Sequence, residues 1–180
     1  PFEAEMYKKM GTNVVYGGHP LLDTVKPSMS KDEAYSFFGL QQEKKTVLFM
    51  PGSRVQEVQS LYGKMLAAGK LLQDKVEGLQ FMVPKASTID RHMLEEAARE
   101  ANLEVHIGEE RVYDMMNIAD AAICASGTAT LETALMGVPT LLVYRVNALT
   151  YWLSKILVHL DSIGLPNIIS GHRIMPELWQ

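Results

Sequence analysis

Residues 119–137 read ADAAICASGTATLETALMG, and this stretch has the pattern of a strand, a tight turn and a helix. Residues 121–124 are small and apolar, as in a short buried strand of a parallel sheet. Ser126 and Thr128 are residue types that cap helix N-termini, and Gly127 between them permits a sharp turn. The helix N-terminus therefore opens where the strand ends, and its free N–H groups favour a phosphate or a carboxylate.

Glu132 lies four residues after Thr128, about one helical turn into the predicted helix. A carboxylate at that place can face a ligand at the turn and accept hydrogen bonds from sugar hydroxyls. The other interpretation is a solvated helix charge, and the apolar neighbours of Glu132 leave both open. Ser126, Gly127, Thr128 and Glu132 are therefore candidate binding residues.

From Lys45 onward, predicted strands alternate with predicted helices through short loops. This order is typical of an α/β fold with a parallel, doubly wound sheet. Strands are predicted over residues 46–50, 79–83, 104–107, 121–124, 138–144 and 167–169, with a further short strand over 14–16. Helices are predicted over residues 1–10, 21–25, 32–39, 55–75, 89–101, 112–118, 128–136 and 147–160, and another from residue 176. The apolar stripe of the helix over 147–160 favours core packing, while an oligomer interface or lipid contact remains open.

Length and composition restrict the classes of function. At 180 residues and 47% hydrophobic content, the chain suits one large domain with a sizeable core. The formal net charge of −4 leaves no global basic field, so no nucleic-acid partner is expected. The lone Cys124 cannot form an internal disulfide, which favours a reduced, cytosolic compartment. The sequence has no apolar run of 18 residues, so no transmembrane helix is expected.

Ligands of such sheets bind at the carboxyl ends of the strands, where the loops form a crevice. Pro51-Gly52-Ser53-Arg54 joins a predicted strand to a helix there. Gly52 allows close backbone approach, Ser53 can cap the helix, and Arg54 offers a bidentate fork to phosphate. An ordinary turn with a surface arginine is the other interpretation. The chain lacks the Gly-Lys-Ser/Thr of a Walker loop and the spacing Gly-x-Gly-x-x-Gly, so an NAD site has no support.

Two further motifs fall at or near predicted strand ends, GGHP at 17–20 and GLPN at 164–167. His19 follows two glycines and precedes a proline. A lone histidine is more often structural than functional, and both interpretations stay open for His19.

Taken together, these motifs closely resemble the lipid-A-disaccharide synthase family, over essentially all 180 residues. The segments that carry the resemblance are GHPL at 18–21, LFMPGSR at 48–54, ASGTATLE at 125–132, GVPTLLVYRVN at 137–147 and GLPNII at 164–169. The resemblance implies an inverting glycosyltransferase with two Rossmann-like domains, the GT-B type. Such an enzyme transfers 2,3-diacylglucosamine from UDP to the 6-hydroxyl of 2,3-diacylglucosamine 1-phosphate, which gives lipid A disaccharide 1-phosphate and UDP.

The resemblance also implies roles for individual residues. Glu132 matches the position that holds the nucleotide ribose, and Arg54 and Asn167 match positions with catalytic roles. The implied contacts to the UDP-sugar are Gly18, His19, Gly52, Ser53, Arg54, Ser126, Gly127, Thr128 and Glu132. The general base is expected in an N-terminal domain outside this chain, and no metal or cofactor is expected.

At the level of the whole protein, the resemblance implies that residues 1–44 cross between two domains and that residues 45–180 form the UDP-sugar-binding domain, truncated at both ends. The parent enzyme is expected to be a cytoplasmic homodimer, attached peripherally to the inner membrane. The isolated fragment, without its acceptor domain, is expected to be inactive.

Two alternatives remain open. One is another UDP-sugar enzyme of the same architecture, such as a UDP-N-acetylglucosamine 2-epimerase or the peptidoglycan glucosaminyltransferase. The other is a non-catalytic nucleotide-binding module. Activity of the full-length parent on a diacylated acceptor distinguishes the first alternative, and the absence of both UDP-dependent stabilisation and parent activity would favour the second.

Overall fold

The computed structural model of the protein describes residues 2–144 and 162–179. In these residues the helices are α1 Phe2–Lys9, α2 Leu21–Thr24, α3 Lys31–Phe38, α4 Val55–Gln73, α5 Arg91–Glu100, α6 Val112–Ile118, α7 Thr128–Leu135 and α8 Leu165–Ser170. The strands are β1 Lys45–Met50, β2 Leu79–Pro84, β3 His106–Gly108, β4 Ala121–Ala125, β5 Thr140–Tyr144 and β6 Glu177–Trp179. The helix predicted over 147–160 lies outside the described residues.

The strands form one parallel sheet in the order β3-β2-β1-β4-β5-β6. The chain runs outward from β1 to β3, returns beside β1 as β4, and then runs outward to β6 on the other side. A parallel sheet with this order is doubly wound, and the order reverses between β1 and β4. The predicted fold class, α/β with a doubly wound parallel sheet, is confirmed.

Helices cover both faces of the sheet, which explains why the central strands are nearly continuous apolar runs. On one face, α4 and α5 pack over a core that contains Phe49 and Phe81, whose stacked rings lie 5.3 Å apart between centroids. On the other face, α3 and α6 pack over a core that contains Leu48, Met82 and Met115. Leu48 and Phe49, which are consecutive in β1, therefore pack into cores on opposite faces of the sheet, because side chains alternate between the two faces along a strand.

Asp114 fixes the segment before α3 to α6. Its side chain is buried and accepts hydrogen bonds from the backbone N–H of Ser28 at 2.7 Å and of Met29 at 3.0 Å. The Ser28 hydroxyl also donates to this carboxylate, at 2.7 Å. Part of the predicted crossing segment 1–44 therefore packs on the sheet, with Leu40 in the core, and the domain boundary at residue 44 stays a prediction.

Three predicted elements are wrong. Residues 14–16 form no strand in the described part of the chain, and Val15 is 92% exposed. Residues 167–169 lie in α8, because Pro166 in the first turn and Gly171 in the left-handed conformation begin and end a helix there. Ile168 and Ile169 by themselves favour a strand, since β-branched residues are enriched in strands. The last element, β6, is a strand where a helix was expected, because parallel pairing with β5 outweighs the local pattern.

Replacement of Asp114 by alanine is expected to lower the free energy of unfolding by about 2–3 kcal/mol at neutral pH, because two backbone N–H groups lose a charged acceptor. Burial would raise the pKa of Asp114, but the hydrogen bonds from Ser28 and Met29 and the charge of Arg111 outweigh burial and hold the pKa below its usual value. The stabilisation is therefore present above the unfolded carboxyl pKa of about 3.9 and is lost as the pH falls through the lower folded value.

Urea unfolding of the wild type and of Asp114→Ala, from neutral pH down through the carboxyl range, measures this loss. Asp74→Ala is the control, since Asp74 is exposed at the C-terminal end of α4 and its removal should change stability by less than about 0.5 kcal/mol. A destabilisation by Asp114→Ala that stays constant into acid would contradict a role for the carboxylate charge.

Candidate functional site

A cleft of about 570 Å³ opens at the carboxyl ends of β1, β2, β3 and β4. It lies where the strand order reverses, which is where ligands of doubly wound sheets bind. The cleft is lined by residues 50–54 and Glu57, by residues 84–86, by residues 109–112, and by residues 125–129 and Glu132.

Seven of the residues singled out in the sequence meet in this cleft. They are Gly52, Ser53, Arg54, Ser126, Gly127, Thr128 and Glu132. The lining does not include Gly18, His19 or Asn167. His19 lies before α2, where its Nδ1 accepts a hydrogen bond from the backbone N–H of Leu21 at 3.2 Å. The binding roles of Gly18 and His19 and the catalytic role of Asn167 stay predictions.

Asn167 is buried in α8 and is occupied by four hydrogen bonds. Its Nδ2 donates to the carbonyl oxygen of Met175 at 2.9 Å and to Glu177 Oε1 at 2.7 Å. Its Oδ1 accepts from the backbone N–H of Ile174 at 2.8 Å and of Met175 at 2.9 Å. Asn167 therefore holds the loop between α8 and β6 in place.

The conformation of the loop after β1 favours glycine at position 52. The backbone φ of Gly52 is 111°, a conformation that favours glycine, and a Cβ at this position would lie 2.6 Å from Glu57 Oε2. Arg54 follows at the N-terminal cap of α4, with its side chain 83% exposed. Its Nη1 donates to Glu57 Oε1 at 2.8 Å. The guanidinium predicted to bind phosphate thus lies at the cleft in an exposed ion pair.

The turn after β4 differs in one respect from the prediction. Gly127 occupies the cap position of α7, Thr128 is the first helical residue, and within the described residues no side chain caps the helix. The capping bonds expected of Ser126 and Thr128 are therefore not formed. The first turn of α4 likewise has no side-chain cap among these residues. Two helices thus present their positive N-terminal ends at one cleft.

Glu132 is half-buried in the wall of the cleft, one turn into α7. Its Oε1 accepts a hydrogen bond from the hydroxyl of Tyr113 at 2.9 Å. Behind it, burial and then the charge of Glu132 raise the pKa of the Cys124 thiol to about 12. Cys124 is therefore a neutral core side chain and no nucleophile at physiological pH.

Sequence reasoning missed several charged residues of the cleft. Lys85 directly follows β2, and the strand-end rule that singled out Arg54 would also have found Lys85. Its side chain is 15% exposed, and its Nζ lies 3.8 Å from Glu109 Oε2. Arg111 also lines the cleft and donates to the Ser28 hydroxyl at 2.8 Å. Among residues 2–144 and 162–179, no group of three or more His, Cys, Asp or Glu side chains could hold a metal ion.

The model of the lipid-A-disaccharide synthetase (LpxB) family matches residues 1–180. The chain belongs to the lipid-A-disaccharide synthase family. It is 44% identical to the lipid-A-disaccharide synthase of Geobacter metallireducens and 41% identical to that of Geobacter sulfurreducens, each over 180 residues. Each alignment covers 100% of this chain and 47% of the relative. The chain therefore spans about half the length of the curated relatives it matches.

Solved structures share the fold of this family member at low sequence identity. The lipopolysaccharide glycosyltransferase WaaG aligns with 99% of this chain and 47% of its own chain, at a TM-score of 0.51 and 15% identity. The S. aureus MnaA–UDP co-structure aligns with 93% of this chain and 48% of its own, at a TM-score of 0.59 and 15% identity. The E. coli ADP-heptose heptosyltransferase II aligns with 82% of this chain and 42% of its own chain, at a TM-score of 0.51 and 15% identity.

These likenesses show the fold, a Rossmann-like α/β unit that corresponds to one half of a GT-B glycosyltransferase. The described residues contain no helix that is long and apolar enough to cross a membrane.

Gly52→Ala is expected to distort the loop after β1, because the backbone φ of 111° is strained for alanine and the new Cβ would lie 3.2 Å from Glu57 Cβ. We expect a loss of about 1–3 kcal/mol in the free energy of unfolding. Gly63→Ala is the matched control on α4, where a Cβ meets nothing within 4 Å and should stabilise the helix by roughly 0.5–1 kcal/mol. Urea unfolding of both variants tests this, and equal effects on the free energy of unfolding would contradict the argument from backbone strain at Gly52.

Proposed function

We propose that this chain is the donor-nucleotide half of a lipid-A-disaccharide synthase and that its cleft binds the UDP group of UDP-2,3-diacylglucosamine. The observation that carries the proposal is the convergence of two helix N-termini, on α4 and α7, at one cleft of a chain that belongs to this family. A diphosphate is the anion such an arrangement favours, since both helix dipoles and the backbone N–H groups of the first turns attract it.

Glu132 supplies the contact to the ribose. It lies in the cleft wall one turn from the start of α7, so a nucleotide with its diphosphate at Gly127 and Thr128 brings its sugar towards the carboxylate. A carboxylate accepts hydrogen bonds from hydroxyl groups and repels phosphate. Glu132 therefore favours the ribose, and not the diphosphate, at its end of the site.

In the intact enzyme, the 6-hydroxyl oxygen of the acceptor attacks the anomeric carbon of the donor from the side opposite UDP. The new C–O bond forms while the bond from that carbon to the β-phosphate oxygen breaks, which inverts the configuration. The proton of the hydroxyl passes to a base in the half of the protein outside this chain, so this chain alone is inactive. Arg54 and the N-termini of α4 and α7 stabilise the negative charge that develops on the leaving UDP. Asn167, which is not part of the cleft lining, is also proposed to have a catalytic role.

The proposed substrates are a UDP-linked and a phosphorylated diacylglucosamine, both of them acylated. Because acylated substrates reside in membranes, we propose that the enzyme is a cytoplasmic protein attached peripherally to the inner membrane. We also propose that the intact enzyme is a homodimer. Family membership favours this proposal over a UDP-N-acetylglucosamine 2-epimerase, the peptidoglycan glucosaminyltransferase or a non-catalytic module.

Calorimetric titration with UDP tests the proposed binding. The wild type is expected to bind UDP, and Glu132→Ala should lose about 1.5–3 kcal/mol, because hydroxyl hydrogen bonds to a charged acceptor disappear. Glu100→Ala is the control, since Glu100 is an exposed residue at the end of α5, away from the lining of the cleft. Equal UDP affinity of Glu132→Ala and Glu100→Ala would remove Glu132 from the site.

In the intact parent enzyme, Arg54→Ala should lower kcat/KM, and Arg54→Lys should recover only part of the loss because lysine lacks the bidentate fork. The expected loss for alanine is about tenfold to hundredfold, as for one charged hydrogen bond made in the transition state. Arg99→Ala is the matched control, because Arg99 also forms an exposed ion pair with a glutamate three residues away, but on α5. If Arg54→Ala kept the kcat/KM of the wild type, the proposed catalytic role of Arg54 would be contradicted.

A further inference from the structure

Tyr113 and Glu132 form a hydrogen bond that joins two different helices at the cleft. Tyr113 lies on α6 and Glu132 on α7, and the Tyr113 hydroxyl donates to Glu132 Oε1 at 2.9 Å. Burial, followed by the hydrogen bond to Glu132, raises the pKa of Tyr113, and a hydrogen bond from Thr24 opposes the shift. The phenol therefore keeps its proton at physiological pH and acts as the donor to the carboxylate.

The bond occupies one oxygen of Glu132 and leaves the other for a ligand. Within the described residues, Oε2 of Glu132 accepts no hydrogen bond, and the side chain lines the cleft. A glutamate has three side-chain torsions, so a free carboxylate samples several positions before it meets a ligand. A phenol anchored on a separate helix restricts those positions without competing for the second oxygen.

We propose that Tyr113 is a positioning residue that holds the carboxylate of Glu132 towards the ribose hydroxyls of the bound nucleotide. This inference rests on the proposed function of the cleft. Neither the motifs nor the spacing in the sequence singles out Tyr113, because it lies 19 residues before Glu132 and on another helix.

Tyr113→Phe removes only the hydroxyl, and titrations with UDP and with 2′,3′-dideoxy-UDP separate positioning from packing. The affinity of the variant for UDP should fall about threefold to tenfold, which corresponds to one net hydrogen bond. Its affinity for the dideoxy nucleotide should equal that of the wild type, because that ligand has no ribose hydroxyls for Glu132 to bind. In a Glu132→Ala background, Tyr113→Phe should have no further effect on UDP binding.

Tyr35→Phe is the matched control, because the Tyr35 hydroxyl donates to the carbonyl oxygen of Ile118 at 3.3 Å, away from the lining of the cleft. It should leave both affinities unchanged. Wild-type UDP affinity in Tyr113→Phe, or equal losses for UDP and the dideoxy nucleotide, would overturn the positioning role. Failure of the wild type to bind UDP would instead overturn the proposed function, and the inference with it.

Discussion

The parallel pairing of β1 with β4 is the constraint on which the site depends. Their register sets Val47 opposite Ala121 and Met50 opposite Cys124, so the two strands end at the same level. The loop after β1 and the turn after β4 therefore lie side by side, although Gly52 and Gly127 are 75 residues apart in the chain. Because the strand order reverses at this pair, the connections on its two sides lead in opposite directions and leave the crevice open.

Buried carboxylates and amides fix the parts of the chain that the sheet does not hold. Asp114 accepts hydrogen bonds from the backbone N–H groups of Ser28 and Met29, before α3. Glu177 accepts hydrogen bonds from the backbone N–H groups of Ile163 and Gly164, before α8. Each carboxylate is buried with its donors in place, which is the condition under which a buried charge stabilises a structure. Asn167 also donates a hydrogen bond to Glu177, so Asn167, Glu177 and the backbone before α8 are held together. The motif GLPN is thus explained structurally as a fastening of the chain near β6, whatever further role Asn167 has.

The sequence was sufficient to predict the fold class and seven of the residues that line the cleft, and the elements and contacts that it did not predict were missed for different physical reasons. Five strands were found because parallel strands buried on both faces are short apolar runs between helices. β6 was missed because its strand conformation comes from pairing with β5, a contact that local pattern does not contain. Gly52 and Glu132 were found because strand ends can be located from the sequence. Tyr113 was not found, because its contact across two helices has no sequence signal.

The charges of the cleft bear on how a diphosphate would bind there. Four carboxylates and three cations line it, and Arg54 is paired with Glu57. An exposed ion pair of this kind contributes about 0–1 kcal/mol, so exchange of Glu57 for a phosphate oxygen costs little. Since the carboxylates outnumber the cations by one, net attraction for the proposed diphosphate would come mainly from the backbone dipoles at the starts of α4 and α7. Those dipoles are fixed by the sheet and do not move with side-chain rotamers. The exposed Arg54 could therefore exchange Glu57 for a phosphate oxygen of the proposed ligand without any change in those dipoles.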